Sequence, residues 1–518
     1  MTRAQITLTP EEYHTDGLLR EAVARSLRVK AEDIAHVVMI RSSLDSRRGI
    51  HYHCQADVYM TDEPYTTPNY KGEYQDCHNA KPIVIVGAGP AGLFAALRAL
   101  ELGIKPVIVE RGKPVEERKK DIAQMVREQS VDADSNWCFG EGGAGTYSDG
   151  KLYTRSTKRG DVGGILRRFV EHGADPKILV DVHSHIGTDR LSPIIANMRR
   201  TIEGFGGEIH FSSRVVDLLL DSKTGLVRGV RCANGDSFEG AAVMLATGHS
   251  ARDIYEMFDH RGWLIEPKPF AMGVRVEHPQ TLINEIQYHG KKHSPLLPPA
   301  AYSLTTQVGG HGVFSFCMCP GGVIVPAATA EGQQVVNGMS NASRSSAFAN
   351  SGIAVTVSPS DVPEYAKYGN MSLLRFQQEV ERQTAMGAGE PLAAPCQRLT
   401  DFCEGRGASR LNRTNYMGQC VALSLADILP PFVADCLKQA FRDFGRKMRG
   451  FYTAEASLLA VESRTSSPVR IPRDENGQHP QLKGLYPCGE GAGYAGGIVS
   501  SAIDGISQVQ NIWRYINE

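Results

Sequence analysis

Gly87, Gly89 and Gly92 are spaced as G-x-G-x-x-G, between the apolar run Ile83-Val84-Ile85-Val86 and an Ala/Leu-rich stretch that begins at Leu93. Each glycine has a task where a chain holds a dinucleotide. Gly87 permits a tight turn, Gly89 lets the backbone approach a pyrophosphate, and Gly92 lets helix and strand pack closely. The helix start at Pro90 and Ala91 offers unpaired N–H groups and a positive dipole end to phosphate. A second apolar run, Pro106-Val107-Ile108-Val109, ends in Glu110 and Arg111. Glu110 stands where an acid meets a ribose hydroxyl pair. These residues alone do not separate NAD from FAD.

The elements that must position this turn follow from the apolar pattern. Residues 191–202 have helical spacing, with Ile194, Ile195, Met198 and Ile202 on one face. Residues 215–220, 227–232 and 236–238 read as a three-strand meander with turns at Gly225 and Gly235. Ala241 to Gly248 is a buried strand that ends in glycine, and residues 484–505 give a strand, a glycine loop and an Ala/Ser-rich helix. A second concentration of glycine, Phe139-Gly140-Glu141-Gly142-Gly143-Ala144-Gly145-Thr146-Tyr147-Ser148-Asp149-Gly150-Lys151-Leu152, permits close approach to something flat or anionic. Ahead of the nucleotide fold, residues 1–80 read as an N-terminal α+β module of ferredoxin-like type plus a linker at 61–80. Its His51 and His53 share a strand face and are too few for a metal site. The organisation expected is α/β, with a Rossmann-like domain in two parts, 81–265 and 455–518. An α+β substrate or cap domain is inserted at 266–454.

The chain has 518 residues, room for two to four domains. Lys+Arg 56 against Asp+Glu 57 leaves a net charge of -1, which favours neither nucleic acid nor an anionic membrane as partner. The 11 cysteines lack metal-ligand spacing, and no apolar run has the length of a membrane span or a leader core. Reduced thiols and a cytoplasmic location are expected.

Strand, glycine turn, acid-tipped strand, meander and a strand ending Ala246-Thr247-Gly248 together resemble the glutathione-reductase-like FAD fold. The resemblance implies that Thr247 and Gly248 lie beside the cofactor and that Val215 reaches the adenine by its backbone. It gives Gly489 and Glu490 the ribityl-phosphate part, and Gly496, Gly497 and Ile498 a helix N-terminus aimed at the flavin pyrimidine. FAD is thus the expected cofactor. Longer strings carry a closer resemblance, to the uncharacterised bacterial FAD-dependent dehydrogenase family. They are residues 139–152, residues 246–253, Cys317-Met318-Cys319-Pro320-Gly321-Gly322, residues 337–340, residues 462–470 and the C-terminal glycine loop. Gly142, Gly143, Gly145, Ser148 and Lys151 of the first string join the expected cofactor contacts.

A flavin needs binding, orientation and electrostatics from the protein more than reactive side chains. Cys317 and Cys319 are candidates for a redox pair or a nucleophile, with ordinary strand-end thiols as the plainer alternative. The helix after the first cofactor strand has no cysteine, so the disulfide-reductase arrangement is excluded. Lys151, Arg464 and Arg470 are cations able to favour a reduced anion, and Glu462 is a candidate acid or partner for Arg464. His249 is a candidate proton donor. A basic face on Lys438, Arg442, Arg446, Lys447 and Arg449 reads as a solvated helix face, or else as an RNA or acidic-partner surface. No second glycine fingerprint is present, so NAD(P)H or an electron-transfer partner would bind transiently. The reading is an FAD-dependent oxidoreductase acting on a small organic substrate. Its alternatives are a flavin-dependent RNA-modifying enzyme and a non-catalytic flavin-bound interaction protein.

Overall fold

A computed structural model describes residues 1–153, 160–290 and 294–518. The run at residues 83–86 forms the strand Pro82–Val86, buried on both faces at the centre of a five-stranded parallel sheet. The sheet runs Leu485–Pro487, Val243–Leu245, Pro82–Val86, Lys105–Val109, Glu208–His210. Strands buried on both faces read as continuous apolar runs, which is why their positions are plain in the sequence. The strand Leu485–Pro487 brings the C-terminal glycine loop back to the first one. The helices that follow these loops, Pro90–Glu101 and Ile498–Asn517, pack on each other. The meander Val215–Leu220, Val227–Cys232, Ser237–Glu239 is antiparallel, as its turns require.

The inserted region builds its own seven-stranded sheet. Its order is Thr305–Val308, His311–Cys319, Phe348–Val357, Phe270–Pro279, Ser457–Glu462, Ala394–Arg398, Cys420–Ala422. The helix Pro431–Lys447 buries Val433, Leu437, Phe441 and Phe444 in this sheet's core. Ser457–Glu462 lies past the expected boundary at 454, yet it is a central strand here, paired with Phe270–Pro279 and Ala394–Arg398. All six of its residues are buried, and a short apolar run does not say to which of two sheets it belongs.

The N-terminal module has three antiparallel strands in the order Thr2–Leu8, His51–Met60, Ile34–Asp45, with helices Pro10–His14 and Asp16–Leu27. Thr9 caps the first helix in a capping box with Glu12, its Oγ1 accepting from the Glu12 amide at 3.2 Å. The ferredoxin-like expectation thus meets three strands and one helix pair, rather than the full β-α-β-β-α-β order. His51 and His53 are exposed on the sheet while Tyr52 between them is buried. Ser42 ties the module to the nucleotide fold. Its N–H donates to Val180 O at 2.9 Å, and its carbonyl accepts from Val182 N at 3.1 Å. The linker has no helix or strand, but its second half is strapped down. Gly72 N donates to Glu171 at 2.7 Å and Cys77 N to Phe205 O at 2.8 Å. Among the described residues, no helix is long and apolar enough to cross a membrane.

Candidate functional site

One cavity runs from the first glycine turn to the edge of the inserted sheet. At the turn its wall is main chain. A Cβ on Gly92 would stand 1.9 Å from the Gly87 carbonyl oxygen, so only glycine lets helix and turn close up. The glycine loop folds over the turn, with Gly142 N donating to Ala88 O at 2.8 Å. A Cβ on Gly143 would come 3.2 Å from Gly89 Cα, so the two backbones face each other across a narrow gap. Glu110 is buried beneath. Its carboxylate accepts from the amides of Ala88 at 2.8 Å, Gly112 at 2.9 Å and Gly140 at 3.0 Å. It therefore joins the turn, the strand end and the glycine loop as well as lining the cavity.

The loop's shape is set by Arg118, a buried guanidinium on the helix Val115–Glu128. It donates to the carbonyls of Asn136 at 2.9 Å, Gly140 at 3.3 Å, Glu141 at 2.8 Å and Gly143 at 2.9 Å. Burial pulls its pKa below the ordinary value. Glu141, also buried, accepts from Val115 N at 2.9 Å and Arg199 Nε at 2.9 Å.

At the far end the wall is side chain. Lys151, Asp149, Phe316, Cys317, Cys319, Asn337, Arg464 and Thr465 line it. Arg275, on the central strand Phe270–Pro279, is buried and holds several of these groups. Its Nη1 meets both Glu462 oxygens, at 2.9 and 2.8 Å, its Nη2 donates to Cys317 O at 2.7 Å, and its Nε donates to Asn350 Oδ1 at 2.7 Å. Lys151 Nζ donates to the Met318 carbonyl. The Cys317 side chain opens into the cavity although protein surrounds it. Burial pushes its thiol up to about 11, against the pull of Lys151.

Glu462 is therefore not the partner of Arg464. Both of its oxygens are taken by Arg275, on the strand paired directly with its own. Arg464 pairs instead with Glu381 of the helix Ser372–Ala388, Nη2 to Oε2 at 2.9 Å and Nε to Oε1 at 3.1 Å. Arg252 binds the same carboxylate, at 2.8 and 2.7 Å. Burial alone would raise Glu381, but the two guanidiniums outweigh it and hold the carboxyl down at about 2. Arg464 Nη1 reaches Thr329 Oγ1 at 2.8 Å and Ser250 Oγ at 3.3 Å, and Ser250 Oγ lies 2.9 Å from His249 Nδ1. His249 Nε2 is 3.9 Å from Glu490 Oε2. Burial pushes this imidazole below its ordinary value.

The sequence-derived contacts gather on one cavity. Gly87, Gly89, Pro90, Ala91, Glu110, Arg111, Gly143, Gly145, Ser148, Lys151, Val215, Thr247, Gly248, Glu490, Gly496, Gly497 and Ile498 line it, with Cys317, Cys319, His249 and Arg464. Gly92, Gly142 and Gly489 are not on its wall. Gly92 packs behind the turn, Gly142 hydrogen-bonds Ala88, and Gly489 N donates to Asp504 at 2.7 Å. The basic helix face is occupied by its neighbours. Arg446 pairs with Asp443, Lys438 with Asp435 at 3.7 Å, and Arg442 and Lys447 donate to the carbonyls of Cys403 and Thr305.

Residues 269–465 match the family described as FAD-dependent protein, C-terminal domain-like. Residues 82–260 match Glucose inhibited division protein A, and residues 1–59 match a domain of unknown function. A Clostridium beijerinckii protein named "Uncharacterized protein" is 36% identical over 517 residues, covering 96% of each chain. Among solved structures, glycerol-3-phosphate dehydrogenase from Bacillus halodurans complexed with FAD is 10% identical, with a TM-score of 0.36. The match covers 85% of this chain and 66% of that one. A flavocytochrome c3 fumarate reductase in its open conformation is 11% identical with a TM-score of 0.34, covering 88% and 83%. Neither of these structures is a close likeness.

Proposed function

The chain belongs to the FAD-dependent family of its full-length Clostridium relative, and from that premise we propose an FAD-dependent oxidoreductase acting on a small organic substrate. The observation that carries this reading is the single cavity joining the glycine cradle to the cationic, thiol-bearing end under the inserted sheet. The cradle fits the cofactor. A Cβ on Gly143 would crowd Gly89, and two helix N-termini, at Pro90 and Ile498, open on the same space. When bound, FAD supplies the exchange of a hydride or electron pair. In this reading Gly87, Gly89, Pro90 and Ala91 hold the diphosphate, Glu110 and Val215 the adenosine end, and Gly496, Gly497 and Ile498 the flavin end.

The other residues set charge and protons. Lys151, fixed on the Met318 carbonyl, keeps an ammonium in the chamber and favours negative charge there. Arg464 spends its donors on Glu381, Ser250, Thr329 and Gln333, so it acts as a fixed charge and leaves substrate binding to others. A guanidinium can only donate, so Ser250 Oγ accepts from Arg464 and turns its own hydrogen to His249 Nδ1. The neutral imidazole then carries its proton on Nε2, facing Glu490 and the cavity, where it can be given or taken.

The test is a visible spectrum of the purified protein followed by anaerobic titration with NADH and NADPH. Flavin absorbance that bleaches with one nicotinamide makes the protein a reductase and directs the substrate search to electron acceptors. Flavin that bleaches only with an organic donor makes it a dehydrogenase. Absence of flavin absorbance, even after reconstitution with FAD, overturns the reading.

A further inference from the structure

We propose that Cys317 and Cys319 are a dithiol–disulfide pair that exchanges two electrons with FAD bound in the same cavity. The inference builds on the cofactor reading above but stands on the geometry of these two residues. In a strand, residues i and i+2 share a face, and both cysteines line the cavity. A flat strand would hold their Cα atoms about 6.6 Å apart, at the long end of what a disulfide spans. This strand is not flat. Cys317 is in the left-handed region at φ 44°, which costs energy for a residue with a Cβ. The pairing with Phe348–Val357 slips register between Phe316 and Cys319. The strand is bulged here, and the Cys319 thiol donates to the Cys317 carbonyl at 3.2 Å. The second sulfur is thereby folded toward the first residue.

Two cations clamp the same three residues. Arg275 Nη2 donates to Cys317 O at 2.7 Å and lies 3.7 Å from Cys319 Sγ, and Lys151 Nζ holds the Met318 carbonyl between them. Burial raises both thiols, and the two cations oppose it, pulling toward the thiolate that attacks and leaves in disulfide chemistry. Access is unequal: Cys317 opens into the cavity and Cys319 is buried beneath it.

The step balances as follows. The two S–H bonds break, one S–S bond forms, and two electrons and two protons pass to oxidised FAD, which leaves reduced. In reverse, reduced FAD returns them, the S–S bond breaks and both thiols are restored. The pair thus stores one two-electron equivalent within the site.

The test uses the full-length holoprotein, equilibrated anaerobically in buffers of reduced and oxidised dithiothreitol, then alkylated with N-ethylmaleimide and digested. The peptide spanning Cys317 and Cys319 is expected to switch from doubly alkylated to unalkylated and two hydrogens lighter as the buffer becomes oxidising. Reduced holoprotein freed of reductant and loaded with oxidised FAD is expected to cross-link the same peptide while its flavin band bleaches. Cys317→Ser and Cys319→Ser, each still binding FAD, are expected to lose both changes. Loss of FAD binding alone would sink the cofactor reading, while the buffer titration would still report on the cysteines. A peptide that stays doubly alkylated in the fully oxidised buffer, or crosses over without any flavin response, overturns the proposal.

Discussion

Around Gly87 and Gly143 the cavity wall is backbone, backed by Gly92, and at Gly87 and Gly92 the chain segments meet at distances no side chain allows. Around Arg275, Glu381, Glu462 and Arg464 it is buried charge. There Arg275 meets Glu462 across 187 residues, Arg252 meets Glu381 across 129, and Arg464 meets Glu381 across 83. The first wall is specified by what is left out, the second by pairs that must arrive together. Removing one member of a buried pair strands the other, whereas adding a methyl group to a backbone contact only forces a shift. The two ends should therefore fail differently.

The largest effect is expected at the shared carboxylate. Glu381→Ala leaves Arg252 and Arg464 as uncompensated buried charges and should cost about 3–5 kcal/mol in urea unfolding. A loss no larger than that of a surface glutamate would break the distinction. The charged end also has a pH signature. Glu381, held at about 2 against an ordinary 4.5, contributes stability above pH 4.5 that is lost as pH falls through 2. Glu277 has the opposite sign. Burial raises it from 4.5 to about 7, so its contribution is full below pH 4.5 and is lost as pH rises through 7. Glu277→Gln should flatten that fall, worth about 3 kcal/mol, between unfolding curves at acid and neutral pH. An unchanged slope would show that Glu277 is ionised in the fold.

At the backbone end, Gly92→Ala should cost about 1–3 kcal/mol from crowding and weaken FAD binding by about tenfold or more, read by flavin fluorescence on dilution. Normal FAD affinity would mean that the turn yields without disturbing the cradle. The smallest effect belongs outside both ends. Arg446→Ala removes an exposed pair with Asp443 and should change stability by no more than about 0.5 kcal/mol.

The same contrast explains what could be read from the chain. The glycine cradle, the apolar strands 83–86 and 106–109 and the C-terminal helix are local patterns, and they appear where their spacing put them, while the run 241–248 narrows to the strand Val243–Leu245. Arg118 sits in Glu-Glu-Arg-Lys-Lys-Asp, which reads as a solvated helix face, so nothing marks it as the residue that shapes the glycine loop. Glu381 likewise looks like any surface glutamate of an amphipathic helix. Arg275 did carry a signal, being a single charge in the apolar run Phe270-Ala271-Met272-Gly273-Val274-Arg275-Val276, but its partner depends on strand order. Glu462 is visible in the sequence, but the arginine nearest it in the chain is not its partner, because sheet neighbourhood and not sequence nearness decides the pair.

Ser42 bonds to the segment at residues 180–182, and that segment leads within three residues to His185, whose backbone bridges Lys151. The N-terminal module is thus bolted to the wall that carries the chamber's ammonium, and its covalent tether at residues 61–80 is only one of its attachments. A break in the chain near residue 66 would leave two pieces still held by Ser42 and by Ser46 O on His289 Nε2 at 2.6 Å. The module behaves less as an appendage on a leash than as a keystone, one that could be supplied as a separate chain and still find its seat.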